Sequence, residues 1–250
     1  MSRALTFVLL VLTVVLVSVP AIWEPVARWL FPNETVHIYD RIAMPRMIVD
    51  HLWLSLSATA AATLLGVSVG IAVTRPWGRA LIPLVRDLAA LTQTIPPVAV
   101  LVLAVPLLGF GTAPTILALF LFSLLPILGN TVAGFDQLDP AIVEASRAMG
   151  MTGLQRLLIS ELPLAAPVIL AGVRTAAVIS VGTATIGATI GAGGLGVVII
   201  GGLVRDNVAF TFAGAVAAAS LALLVDWGFE FAAQRAVRWR TDASRIAQSA

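Results

Sequence analysis

The 250-residue chain contains no cysteine and no lysine. The first absence excludes a disulfide framework, a thiolate metal site and a cysteine nucleophile. The second excludes a Walker A loop, which needs a lysine on the phosphates, so the chain does not hold ATP by that route. Charge is scarce as well: Asp, Glu, Lys and Arg make up 11% of residues against 59% apolar ones. With a mean hydropathy of +1.01, that composition does not suit a water-facing surface, and a soluble globule is excluded. Disorder is excluded too, since it requires low hydrophobicity and high net charge. The 15 arginines face 13 acids for a net charge of +2, and no long polybasic run points to nucleic acid.

What the chain does have is long uncharged stretches: residues 4–23, 52–74, 88–135, 175–204 and 207–225. A helix needs about 20 apolar residues to cross about 30 Å of hydrocarbon, where lipid offers no partner to a backbone N–H or C=O. The third stretch is too long for one crossing, and Gly109-Phe110-Gly111-Thr112-Ala113-Pro114 supplies a turn inside it. The expectation is an all-α polytopic membrane protein, one transmembrane domain over residues 1–250. Six spans are expected near 4–23, 52–74, 88–108, 113–134, 167–190 and 207–231. The first stretch also has signal-peptide features, with Arg3 ahead of it and Val19-Pro20-Ala21 as a small-residue cleavage site. Its full crossing length favours a retained span.

Orientation follows from arginine placement, because positive charge is retained on the cytoplasmic face. Arg3, Arg75, Arg79, Arg86, Arg147, Arg156, Arg235, Arg238, Arg240 and Arg245 fall on one side; Arg28, Arg41, Arg46 and Arg205 fall on the other. Both termini are therefore expected in the cytoplasm, together with the largest loop, residues 136–163. No appended soluble domain is expected, and the tail from Arg235 to Ala250 reads as a solvated end touching anionic lipid.

Several motifs mimic chemistry. Gly66-Val67-Ser68-Val69-Gly70 fits the nucleophile elbow G-x-S-x-G, but it lies inside an apolar span, where G-x-x-x-G serves close helix packing. Gly191-Ala192-Gly193-Gly194-Leu195-Gly196 fits the dinucleotide fingerprint without a βαβ unit or a following acid, and reads as a flexible or re-entrant turn ending the fifth span. Asn33-Glu34-Thr35 is a glycosylation sequon too short to carry weight. Asp226 and Glu230 share a helix face at i, i+4, where an ion pair or interfacial position is expected ahead of a proton relay. Arg174 lies near or within the fifth span and needs a partner or a water-filled cavity.

The loop is more informative. Asp139-Pro140 supplies an N-cap acid and a proline at the first helical position, and Gly150 stands where a left-handed residue ends a helix. A short helix over 140–149 follows. Thr152-Gly153-Leu154-Gln155 has the form of a capping box opening a second helix, expected to stop near Pro163. Ten residues give a helix only about 15 Å long, too short to stand alone in water. Ile142, Ala145 and Met149 form its apolar face, with Glu144 and Arg147 placed to pair on the flank. Periodicity leaves open whether the chain's own spans or another protein covers that face.

Glu144-Ala145-Ser146, then Gly150 after three residues, then Leu162-Pro163, resembles the EAA loop of ABC-transporter permeases that work with a substrate-binding protein. The similarity runs over roughly residues 94–203. It includes Gln93-Thr94-Ile95-Pro96-Pro97, Leu125-Pro126-Ile127-Leu128 and Ala171-Gly172-Val173-Arg174-Thr175-Ala176, besides the 191–196 glycine segment. These look most like the glycine betaine, choline and carnitine (osmoprotectant) branch. Two positions depart from the pattern: Ser146 replaces the second Ala, and Ser160 replaces an Ile.

The resemblance implies a cytoplasmic coupling loop between spans four and five, acting on an ATP-binding subunit dimer. Ile142, Glu144, Ala145, Ser146, Met149, Gly150, Leu162 and Pro163 are then the coupling residues; Arg174, Gly191, Gly193, Gly194 and Gly196 are candidate pathway or gate residues. It also implies a second permease, identical or paralogous, and an external substrate-binding protein. No catalytic residue, metal or cofactor is expected in this chain, ATP and Mg belonging to the ATPase. The competing readings are a stand-alone ion-coupled carrier using Asp226, Glu230 and Arg174, and an intramembrane hydrolase using Ser68.

Overall fold

Lipid forces the backbone to pair with itself, and every regular element among the described residues is helical. The computed structural model describes residues 3–236, without the side chains at positions 3, 4, 89, 92, 93 and 236. The expected lipid contact of the tail lies, beyond residue 236, outside the described residues. The long helices are α3 (Met44–Thr74), α6 (Thr112–Asp136), α9 (Leu162–Ala184) and α11 (Val208–Ala236). Shorter ones are α1 (Arg3–Ser18), α2 (Pro20–Leu30), α4 (Ile82–Thr94), α5 (Pro97–Leu108), α7 (Pro140–Ala148), α8 (Gly153–Gln155) and α10 (Gly196–Val204).

Four rods are long and apolar enough to cross a membrane: Met44–Thr74, Thr112–Asp136, Gly153–Ile190 and Val208–Arg235. The departures from the expected spans have local causes. The first stretch is not straight: α1 and α2 meet at 88°, because Pro20 opens α2 and holds Val19 in an extended conformation. Counted together they make a fifth candidate span. α3 starts at Met44, earlier than residue 52, since Pro45 suits a first turn and Arg46 pairs with Asp50 one turn on, at 3.1 Å. The expected span 88–108 is broken at Ile95-Pro96 into α4 and α5, both residues being extended. Its apolar part, α5, has 12 residues and reaches only about 18 Å. The chain also forms α10, which apolar character alone did not separate from the fifth span.

α3, α6 and α9 pack against one another, and small residues set how closely they approach. A Cβ on Gly66 would lie 3.0 Å from Ile127 Cγ2, and one on Gly70 2.7 Å from Thr131 Cβ. Gly172 on α9 faces Asn130, whose Cβ is 2.6 Å from where its own would be. The G-x-x-x-G segment is thus a packing surface, and Ser68 on the same helix is exposed, away from α6.

At the other end of α3, His51 is fully buried. Its Nε2–H donates to the Val181 carbonyl of α9 at 2.8 Å, while Nδ1 accepts the Leu195 N–H at 3.3 Å, just before α10. One imidazole therefore joins three elements, and the two backbone partners fix its tautomer. Asn207 opens α11, accepting the Phe210 N–H at 2.9 Å and donating to the Val36 carbonyl at 2.8 Å. Glu34, in the Asn33-Glu34-Thr35 segment, accepts the Val208 N–H at 2.9 Å, tying the same connection to α11.

Gly70→Leu should lower stability by about 1–3 kcal/mol through overpacking against Thr131. Ser68→Ala should be neutral. The check is the thermal unfolding midpoint of each variant in mild detergent; a parental midpoint for Gly70→Leu would contradict this packing.

Candidate functional site

The loop helix forms as its sequence dictates. Asp139 caps α7 by accepting the Ala141 N–H at 2.9 Å, and Pro140 occupies the first helical position. The helix ends at Ala148, with Met149 as the cap. Gly150 is left-handed at φ +78°; its N–H bonds to the Arg147 carbonyl at 2.9 Å, and the Met151 N–H to that of Ser146 at 3.2 Å. Both halves of the capping box are made: Gln155 N–H to Thr152 Oγ1 at 3.3 Å, and Thr152 N–H to Gln155 Oε1 at 2.9 Å.

The expected stop near Pro163 does not occur. α8 passes through a six-residue π-type segment, Arg156–Glu161, into α9, giving one 38-residue rod from Gly153 to Ile190. The wide π turns come directly before Leu162-Pro163, so Pro163 falls in the first turn of α9, where proline is tolerated. Leu162 packs with Phe135, Ala165 and Ile169 where α6 ends and α9 begins.

The face that α7 turns inward is not its apolar one. Ser146, at 2% exposure, is its one buried side chain, whereas Ile142 is 40% and Met149 68% exposed. Glu144 and Ala145 are exposed with them. The chain's own helices therefore leave the Ile142, Ala145 and Met149 face uncovered. The expected Glu144–Arg147 pair is absent from the ion pairs of the described residues; both side chains are solvated, which weakens such a pair. They instead line a cleft of about 550 Å³ with Arg75, Arg79, Asp136, Arg156 and Glu161. Ser146 Oγ donates to the Ile142 carbonyl at 2.8 Å and lies 3.2 Å from Ser160 Oγ. The two departures from the EAA pattern thus meet each other across the loop.

Sequence reasoning missed Glu161, Arg75 and Arg156. Glu161 is buried, with one carboxylate oxygen 2.5 Å from Arg75 at the end of α3 and the other 2.8 Å from Arg156. The Arg75 guanidinium also stands 5.1 Å from the centroid of the Phe135 ring on α6. An acid set between apolar Leu157-Leu158-Ile159 and Leu162 was the available signal. His51, also passed over, had none beyond being one of two histidines.

The remaining candidates separate into two places. Arg174 on α9 forms a bidentate pair with Asp226 of α11, both contacts at 2.6 Å, and reaches Glu230 at 3.3 Å. The sequence requirement for a partner is met by the two acids one turn apart. Gly191, Gly193 and Gly194 have φ of +80°, +86° and +73°, making a turn that only glycine follows without strain. A Cβ on Gly194 would lie 2.8 Å from His51 Nδ1, and one on Gly196 2.0 Å from the Thr185 carbonyl oxygen. The glycine segment is therefore a packed turn against α3, not a dinucleotide loop.

This fold and loop find counterparts. Residues 62–238 match the family described as binding-protein-dependent transport system inner membrane component. The chain is 42% identical to the osmoprotectant import permease protein OsmW of Salmonella typhimurium, over 78% of this chain and 93% of that protein. It is 38% identical to the glycine betaine/carnitine/choline transport system permease protein OpuCB of Bacillus subtilis, over 71% of this chain and 81% of that one. A solved structure of the MetNI methionine ABC transporter in an inward-facing conformation superposes with a TM-score of 0.65 at 25% identity. That match covers 78% of this chain and 94% of the other. The chain belongs to the family of binding-protein-dependent transport system inner membrane components, and is a multi-pass permease.

Two outcomes follow from the geometry. Nothing lies within 4 Å of a Cβ on Gly150, so Gly150→Val should act through its backbone alone, costing about 1–2 kcal/mol. Faster amide hydrogen exchange over residues 140–155 reports it; unchanged exchange would contradict the left-handed turn. A double-mutant cycle of Arg174→Gln and Asp226→Asn should give a coupling of about 0.5–3 kcal/mol by thermal unfolding. Additive effects would mean the pair is not made.

Proposed function

We propose that this chain is the membrane-spanning subunit of an ABC importer that moves a quaternary-ammonium osmoprotectant such as glycine betaine inward. One observation carries the reading: α7 is too short to stand alone, yet presents Ile142, Glu144, Ala145 and Met149 to its surroundings instead of its own helices. A helix built this way suits a groove on another protein, read as apolar anchors at i, i+3 and i+7. Its partner here is a separate ATPase dimer, which holds ATP and Mg and hydrolyses the nucleotide. Two grooves require two loops, hence a second permease, identical or paralogous, beside this one.

The arginine distribution supports a cytoplasmic side for both termini and the 136–163 loop. A binding protein delivers solute on the opposite face. The relatives' names support the solute class, since glycine betaine, carnitine and choline share a trimethylammonium group. Aromatic cation–π contacts in the binding protein select that group. Closure of the ATPase dimer displaces α7; the displacement passes through Ser146 into the Gly153–Ile190 rod and shifts α9 against α6 and α3. Arg174 and the glycine turn at Gly191, Gly193, Gly194 and Gly196 lie along that rod and just beyond it, and remain the pathway or gate candidates.

The test is purification in mild detergent with the ATPase and any paralogous permease coexpressed, followed by uptake in liposomes supplied with the binding protein. The parent chain should retain the ATPase and take up glycine betaine only with ATP. Glu144→Arg should lose most of the ATPase while keeping its membrane level. Full retention by Glu144→Arg would remove the docking role of that residue, and nucleotide-independent uptake by the chain alone would replace the importer with a carrier.

A further inference from the structure

Resting on the importer reading, we propose that Glu161 and Arg75 form the joint that transmits movement of the coupling helix to α3, Glu161 acting as a positioning residue. α7 meets its own chain through Ser146, which lies against Ser160, the residue next to Glu161. Movement of α7 is therefore delivered to the end of the π-type segment, a helical form common at functional sites. The Glu161 side chain is only 6% exposed there.

A carboxylate out of water needs compensation by cations and hydrogen bonds, and Glu161 has two cations. Arg156 sits five residues back on the same rod and is held at 2.8 Å. It joins two points that the helix already joins. Arg75 caps the end of α3, 86 residues away in sequence, and is held at 2.5 Å. That second arm adds a tie between the loop and a spanning helix, and Arg75 also lies over the Phe135 ring of α6. The two arginines are nearly equally enclosed, at 19% and 17% exposure, so they differ in what they connect and not in how deeply they are set.

That difference makes the proposal testable in the whole complex of the permease pair with its ATPase, reconstituted in liposomes and supplied with the binding protein. Uptake of labelled glycine betaine is divided by ATP hydrolysed in the same sample. Arg75→Gln should keep the ATPase bound and lower uptake per ATP by about fivefold or more, the usual scale of coupling between two sites. Arg156→Gln should keep the parent's ratio, and Arg75→Lys, which preserves the cation, should recover it. A purely structural carboxylate would respond equally to loss of either arginine, so equal losses overturn the proposal, as does a parental ratio in Arg75→Gln. If Arg75→Gln does not reach the membrane, Arg75→Gln with Glu161→Gln, which removes charge from both partners, is compared with Arg156→Gln by the same ratio. A parent chain that retains no ATPase overturns the importer reading itself.

Discussion

Lipid tails are as apolar as leucine, so no hydrophobic force gathers α3, α6 and α9; they cohere where their backbones approach closely enough for dense contact. Gly66 and Gly70 admit Ile127 and Thr131 of α6, and Gly172 admits Asn130 from the same helix. α6 is thus shared by two partners that touch it at adjacent residues. Polar links reinforce the arrangement sparingly: Ser180 donates to the Ser55 carbonyl at 3.1 Å, and His51 joins α3 to α9 and to the turn before α10. Packing of this kind is close to rigid, so a push on α9 is felt along α6 and α3 instead of being absorbed locally.

The loop obeys a different solvent. Its helix is capped at both ends, yet caps are worth about 1 kcal/mol each and do not stabilise nine residues in water. Ser146 seats it against the π-type segment, while Ile142 and Met149 remain uncovered. That uncovered face, apolar and acidic, is the one that the proposed ATPase partner would cover. Glu161 sits directly behind that seat, where loop, α3 and α6 converge.

Local chemistry made much of this legible. Asp139, Pro140 and Gly150 bounded the loop helix, Thr152 and Gln155 opened the next one, and Gly66 with Gly70 marked a packing face. Arg174 announced a need for a partner, and Asp226 and Glu230 supplied it. What stayed hidden was direction and distance. Hydropathy counts apolar residues without registering that Val19 before Pro20 turns the chain through 88°, or that Ile95-Pro96 divides an uncharged stretch in two. Pro163 looked like a terminator because the π-type turns before it have no sequence signature. Glu161 and Arg75 are 86 positions apart, and only the tertiary fold puts their side chains together.

The central claim is that the outer face of α7 is covered by an ATPase. Because the chain has no cysteine, a single one placed at Met149 reports on that face without interference. Labelling by a membrane-impermeant maleimide is measured in inside-out vesicles, with and without the ATPase subunit present. The account predicts rapid labelling of the chain alone and strong protection in the assembled complex; equal labelling in both would contradict it.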